Sequence, residues 1–321
     1  MKVVEYDRYG DPSVLVVRER PDPVARPGRV VVRVRAAALN PKDVLTRTGK
    51  LRWFAGRRFP KRVGYDWAGE IAELGRGVTG LAAGDAVFGM IQAWTAGACG
   101  ERVEVLPDEL ARKPSGLDWE DAAALPLASL TALQALRDLG ELVAGQRVLI
   151  HGASGGVGVH AVQIAKALGA HVTTLTSAAA VDLVRSLGAD QPIDRATWQA
   201  TPPATAAAAF GCSAFDVVFD VFGNRTFDEM RPLLTPRGTF VSTVPKLHVV
   251  LSRFRTAFTR PRARLVVVRS RRADLEWLAD LVERGQLRAV VDRVLPLADI
   301  AEAQRYLATR RARGKVVLRV G

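Results

Sequence analysis

The stretch HGASGGVG at 151–158 follows the short apolar run QRVLIH. It leads into a helical pattern in which Val157, Ala161, Ile164, Ala165 and Leu168 share one face. A strand that ends in glycines and continues as an amphipathic helix is the first turn of a parallel sheet with crossover helices. Set against the dinucleotide fingerprint G-x-G-x-x-G, Ala153 stands in the first glycine position and Gly155 and Gly158 in the other two. Gly155 would let the backbone approach a pyrophosphate, and Gly158 would let the helix pack close to the sheet. Free N–H groups at the helix N-terminus would then face the anion. The competing reading is a tight strand–helix turn that holds nothing.

The rest of the chain divides around this feature. Up to about residue 110 it is rich in short strands: VVVRVRAAALN (30–40), GEIAELG (69–75), GDAVFGM (84–90) and ERVEVLP (101–107). The stretch 118–140 reads as helix. From 146 strands and helices alternate: AHVTTLT (170–176), AVDLVRSLG (180–188), FDVVFDVFG (215–223), TFDEMRPLL (226–234) and RGTFVSTVP (237–245). Between them TPPATAAAA (201–209) reads as a loop or short helix. Alternation of this kind implies parallel strands joined by right-handed crossovers, a doubly wound sheet. The expected class is α/β, with a β-rich domain over 1–120, completed by 263–321, and a Rossmann domain over 121–262.

At 321 residues the chain can carry two such cores. It has no apolar run of membrane-spanning length, and MKVVEYDRYG is not a secretory signal. Its two cysteines, Cys99 and Cys212, are too few for a disulfide framework. A cytoplasmic location is the expectation. The net charge is +13, and between Met230 and Ala273 there is no Asp or Glu but eleven Lys or Arg. Nucleic acid and a membrane surface are the anionic partners such charge could serve. No aromatic interleaving or nucleic-acid module accompanies it, so both are set below a solvated, arginine-rich surface.

The end of the second strand of the alternating half bears on the cofactor. NAD sites place Asp or Glu there, on the ribose 2′-OH. Here the stretch reads T-L-T-S, ending at Ser177, which can donate to a 2′-phosphate rather than repel it. Arg195, after the third strand, could add positive charge, or be a surface arginine. Both features favour NADPH.

The segments AAALNPKDVLTRTG (36–49), FPKRVGYDWAGEIAELGRGVTGLAAGDAVFGM (59–90), ALPLASLTALQAL (124–136), HGASGGVGVHAVQIAKALGAHVTTLTS (151–177) and RGKVVL (313–318) together resemble the zinc-independent medium-chain dehydrogenases/reductases of the quinone oxidoreductase type. The resemblance implies a GroES-like catalytic domain and a Rossmann domain. It implies that Ser154, Gly156 and Val157 touch the pyrophosphate and that Ser177 meets the 2′-phosphate. Asn40 and Thr131 would lie near the nicotinamide ribose, and Ser242 and Val244 along the nicotinamide. Arg313, Gly314 and Lys315 match the stretch that closes over the cofactor. Relatives are often homodimers joined through the Rossmann domain.

Zinc members of the superfamily bind their metal with an early Cys, a His-Glu pair and a later Cys. Here those positions carry Asn40 and Tyr65-Asp66, and 124–136 has no Cys. No catalytic zinc is expected. Without a Lewis acid a plain alcohol or ketone is hard to polarise, whereas a conjugated acceptor delocalises the incoming charge itself. The expected activity is NADPH-dependent reduction of a small hydrophobic quinone or α,β-unsaturated carbonyl. The alternative is a non-catalytic NADPH-binding protein that regulates a partner. Candidate catalytic groups are Asn40, as an orienting group, Asp43, as a relay or as the cap of the helix beginning in PKDVL, and Tyr65, as a donor or as a packed ring. The segment 246–272 could wall a substrate pocket, form a dimer edge or lie on a membrane.

Overall fold

The computed structural model describes residues 1–199 and 214–321. The 201–209 stretch and Cys212 lie outside the described residues. Two compact units form: Ala128–Val268, and Met1–Leu127 together with Arg269–Gly321.

In the unit Ala128–Val268 six strands make one sheet. Their spatial order is Gln191–Asp194, His171–Thr176, Arg147–His151, Phe215–Asp220, Leu234–Ser242 and Arg262–Leu265. Every pairing is parallel. Numbered by appearance in the chain, the order is 3-2-1-4-5-6, that of a doubly wound dinucleotide-binding sheet. The central strands are apolar runs, not alternations, because both faces are covered: Val148, Leu149 and Ile150 are buried, as are Val217, Val218 and Phe219. The helix Gly156–Ala167 returns the chain from the first strand to the second. It stops at Gly169, whose positive φ allows Gly169 N and Ala170 N to close back on the carbonyls of Lys166 and Ala165.

The helix expected over 118–140 forms with one bend, at Leu125: Trp119–Ala124 is followed by Pro126–Leu133, which runs straight into a π-helical turn at Gln134–Leu139. Pro126 has no N–H to continue the first helix's hydrogen bonds, while Leu125 before it keeps helical dihedrals, φ −78° and ψ −53°.

The other unit is built on a seven-stranded sheet. Its path runs Val291–Pro296, Lys315–Arg319, Val30–Leu39, Asp66–Leu74, Ala86–Met90 and Leu110–Arg112, with Arg102–Val105 also on Val30–Leu39. A smaller sheet joins Val16–Glu19, Lys2–Tyr6 and Lys61–Arg62. Register matters most at one end of the large sheet. Val316 pairs with Leu39, and Ala38 pairs with Asp66. Lys315, Asn40 and Asp66 therefore sit together where three neighbouring strands begin or end. The core behind them is apolar, with Val32, Leu39, Trp67 and Ile71 among its members.

Among the described residues no helix is long and apolar enough to cross a membrane. Carboxylates outside the basic 230–273 run meet part of its charge. Arg255 pairs with Asp228 at 2.5 Å, and Glu141 holds Arg260 at 2.9 Å and Arg262 at 2.5 Å.

Candidate functional site

The glycine turn has the geometry of an anion cradle. Gly152 has φ +85°, and Gly155 caps the helix from extended backbone with no side chain bonded to the cap. The first-turn N–H groups are thus left for a ligand or water. A Cβ on Gly158 would lie 2.2 Å from Gly152 O, so the protein's own packing demands that glycine. A Cβ on Gly155 would meet only Gly152 O, at 3.6 Å. Nothing in the chain requires a glycine at 155; the open space over the backbone is what a pyrophosphate needs. Ser154, Gly155, Gly156 and Val157 are all partly exposed along this turn.

Ser177 follows the second strand, partly exposed, its hydroxyl without a hydrogen bond to the described residues. Alanines follow it at 178 and 179, and no carboxylate stands there. Arg195 is exposed at the start of the helix Arg195–Gln199, after the third strand. Thr131 is buried on the helix Pro126–Leu133. Ser242 ends the fifth strand, buried, with Oγ accepting from Val244 N at 3.4 Å; Val244 is partly exposed.

One feature of this unit was missed in the sequence. Asp220, fully buried at the end of the fourth strand, bonds His151 Nδ1 at 2.8 Å and accepts from Gly223 N and Arg225 N at 3.0 Å each. It ties the end of the first strand to the loop after the fourth, beside the switch point of the sheet. A polar residue closing the apolar run FDVVFD was the available signal.

The other unit gathers Asn40, Asp43, Asp66 and Lys315. Lys315 is 3 % exposed and Asp66 0 %. The Lys315 ammonium donates to Asn40 Oδ1 at 2.6 Å and to Asp66 Oδ2 at 2.9 Å. Asn40 Nδ2 donates to the same Asp66 oxygen at 2.9 Å, and Leu127 N to Asp66 Oδ1 at 2.8 Å. Asn40 is thereby fixed in one amide orientation. Lys315, which the resemblance places over the cofactor, donates its ammonium to these two side chains, because the register of three strands buries it beside them. Asp43 is buried too. One oxygen caps Asn40 N at 2.8 Å and the other accepts from Gly64 N at 2.9 Å. Burial pushes its pKa up to about 6, against the pull of those two N–H groups. With both oxygens held by backbone, its geometry is that of a cap. Tyr65 is 1 % exposed, and its hydroxyl is buried without a hydrogen bond of good geometry. Burial raises its pKa above the usual tyrosine range. Arg313 is exposed; Gly314, at φ +101°, has no room for a Cβ, which would lie 2.1 Å from Val290 O.

A catalytic metal does not fit this cluster. Its donors are an amide oxygen and a carboxylate already coordinated by an ammonium, beside a buried phenol. A divalent cation there would meet another cation at contact distance, without imidazole or thiolate to hold it.

The comparisons with known proteins agree with this architecture. A family profile described as the alcohol dehydrogenase GroES-like domain matches residues 26–112, and one described as zinc-binding dehydrogenase matches 187–318. The chloroplast envelope quinone oxidoreductase homolog of Arabidopsis thaliana is 30% identical over 99% of this chain and 98% of its own length. The solved quinone oxidoreductase of Coxiella burnetii superposes with a TM-score of 0.90 at 32% identity, covering 100% of this chain and 99% of that one. The Escherichia coli quinone oxidoreductase, solved with NADPH, gives 0.83 at 25% identity over 99% and 100%.

Proposed function

The chain belongs to the quinone oxidoreductase branch of the medium-chain dehydrogenase/reductase family and is an oxidoreductase, and from that premise we propose that it is an NADPH-dependent, metal-independent reductase of quinones or α,β-unsaturated carbonyls. The observation that carries this reading is the Lys315 ammonium seated between Asn40 and Asp66. With that donor set no Lewis acid is available to polarise a plain carbonyl, so the acceptor has to spread the incoming charge through its own conjugation.

The uncapped N–H groups of Gly156 and Val157, with Ser154 and the bare Gly155 backbone beside them, are assigned to the pyrophosphate. Ser177 is assigned to the 2′-phosphate, with Arg195 as its counter-charge. The absence of a carboxylate after the second strand supports NADPH over NADH. When bound, the reduced nicotinamide supplies the hydride; Thr131, Ser242, Val244, Arg313 and Gly314 are assigned to positioning it. Lys315 and Asp66 hold the Asn40 amide still, which makes Asn40 a pre-organised orienting group whose geometry costs nothing to set at the moment of reaction. Asp43 secures the backbone on which Asn40 sits.

A second copy of the chain is assigned as its partner. The support is the edge strand Arg262–Leu265, last in its sheet, beside the helix Leu247–Arg255 with Leu247, Leu251 and Phe254 exposed.

The test is a matched pair of acceptors. NADPH consumption with an enone or quinone is compared with that on its saturated ketone, and NADPH with NADH. The reading predicts turnover of the conjugated member alone, and at least about tenfold tighter binding of NADPH than NADH. Tight NADPH binding with no acceptor reduced would instead support a binding protein without catalysis.

A further inference from the structure

Lys42 projects from the first turn of the helix Pro41–Arg47, and its ammonium lies over two ring faces. It is 3.6 Å from the centroid of Tyr65 and 4.3 Å from that of Trp94. Trp94 stacks on Phe54, with centroids 5.3 Å apart and planes at 21°. Tyr65 closes the base of this bowl, while Trp94 and Phe54, 38% and 64% exposed, leave its rim open to solvent.

The nearby charges do not neutralise Lys42. Asp43, on the same helix, has both oxygens on backbone N–H groups. Asp66, from the neighbouring strand, is taken by Lys315, Asn40 and Leu127. The segment 91–96 that carries Trp94 has no charged residue, and Arg52, on the helix with Phe54, lies over the Trp53 ring. Among the described residues no oxygen accepts a hydrogen bond from Lys42 Nζ. Ring faces attract an ammonium but offer it no acceptor, so its three N–H donors stay available to an oxygen that enters the bowl. Burial also lowers its pKa to about 8, against the opposing pull of Asp43 and Asp66. It is charged at neutral pH, yet releases its proton far more readily than an exposed lysine.

We propose that Lys42 is the acid of the reaction: it donates a hydrogen bond to the carbonyl oxygen of a flat conjugated acceptor lying against Trp94 and Phe54, and passes its proton to that oxygen. This rests on the reductase reading above. With an enone, the hydride of the reduced nicotinamide forms a C–H bond at the β-carbon. The alkene pair becomes the enol double bond, and the carbonyl π pair moves to oxygen. That oxygen takes the proton from the Lys42 ammonium. The nicotinamide is oxidised, the acceptor gains one hydride and one proton, and neutral Lys42 is reprotonated by solvent.

Two readouts test this on the full chain, with near-ultraviolet circular dichroism confirming that each variant is folded. The first is kcat/KM for an enone against pH at saturating NADPH. The wild type loses activity as pH rises through about 8. Lys42→Met lowers kcat/KM by about a hundredfold and removes that limb. Lys42→Arg keeps KM but lowers kcat, because a guanidinium binds the carbonyl without giving up a proton. The second readout is quenching of tryptophan fluorescence by a soluble benzoquinone in the absence of cofactor. Lys42→Met weakens it about tenfold, whereas Lys42→Arg does not. A Lys42→Met enzyme within about twofold of wild type that keeps the limb near pH 8 would overturn the proposal. If the wild type reduces no acceptor, the reductase reading fails by itself. Unchanged quenching in Lys42→Met then removes Lys42 from acceptor binding as well.

Discussion

Two glycines three residues apart do different work. Gly158 is required by the fold, since its Cβ would sit 2.2 Å from Gly152 O, whereas Gly155 has ordinary contact distance around it. Gly158→Ala is therefore expected to cost about 1–3 kcal/mol or more, read as a fall in Tm. Gly155→Val should leave Tm nearly unchanged yet weaken NADPH binding by at least about tenfold, measured by calorimetric titration. Equal stability losses in the two variants would refute this division. At Ser177 the expectation concerns charge. Ser177→Asp places a carboxylate where the 2′-phosphate is assigned, so NADPH affinity should fall at least about tenfold while NADH affinity holds or improves. Lys42 gives a pH signature in stability. Its folded pKa of about 8 lies below the ordinary lysine value, so the cost of burying the ammonium is present below pH 8 and relieved as pH rises beyond it. The stability advantage of Lys42→Met over wild type in denaturant titrations should shrink between about pH 7 and pH 10.

At the scale of elements, function is assembled from strand ends. The Lys315–Asp66 pair joins residues 249 positions apart, brought together by the register of the strands Lys315–Arg319, Val30–Leu39 and Asp66–Leu74. Removing the ammonium leaves a fully buried carboxylate with only its N–H donors. Lys315→Met is expected to destabilise the protein by about 3–5 kcal/mol, and Lys315→Met/Asp66→Asn by clearly less than the sum of the single changes. Additive losses in chemical denaturation would count against the pair. This cluster also marks where sequence reading stops. The glycine turn and the parallel strands were legible because strand, turn and helix lie within about thirty residues and leave a local pattern. Asn40, Tyr65 and Asp66 were legible as residues standing where zinc relatives have ligands. The bonding of Lys315 to Asn40 and Asp66 was not, because antiparallel register across three strands leaves no local trace. Nor was the bowl around Lys42, whose rings come from residues 54, 65 and 94. The helix over 118–140 was legible apart from its bend: the apolar pattern runs through Pro126, where the missing N–H interrupts the hydrogen bonds.

For the whole molecule, the basic surface and the exposed apolar helix belong to one region. Arg255, Arg260 and Arg262 are answered by Asp228 and Glu141, while Leu251 and Phe254 of the helix Leu247–Arg255 are exposed beside the edge strand. Light scattering after size exclusion should give the mass of a dimer, and Leu251→Asp/Phe254→Asp that of a monomer. A wild-type monomer would end that assignment. The central claim is that hydride reaches a conjugated acceptor without a metal, because an ammonium already holds the Asn40 and Asp66 oxygens. The measurement that bears on it most directly is steady-state NADPH-dependent quinone reduction before and after exhaustive dialysis against a strong chelator, with added zinc as the return arm. The account predicts the same kcat and KM in all three states. Loss of turnover on chelation and its recovery with zinc would contradict it.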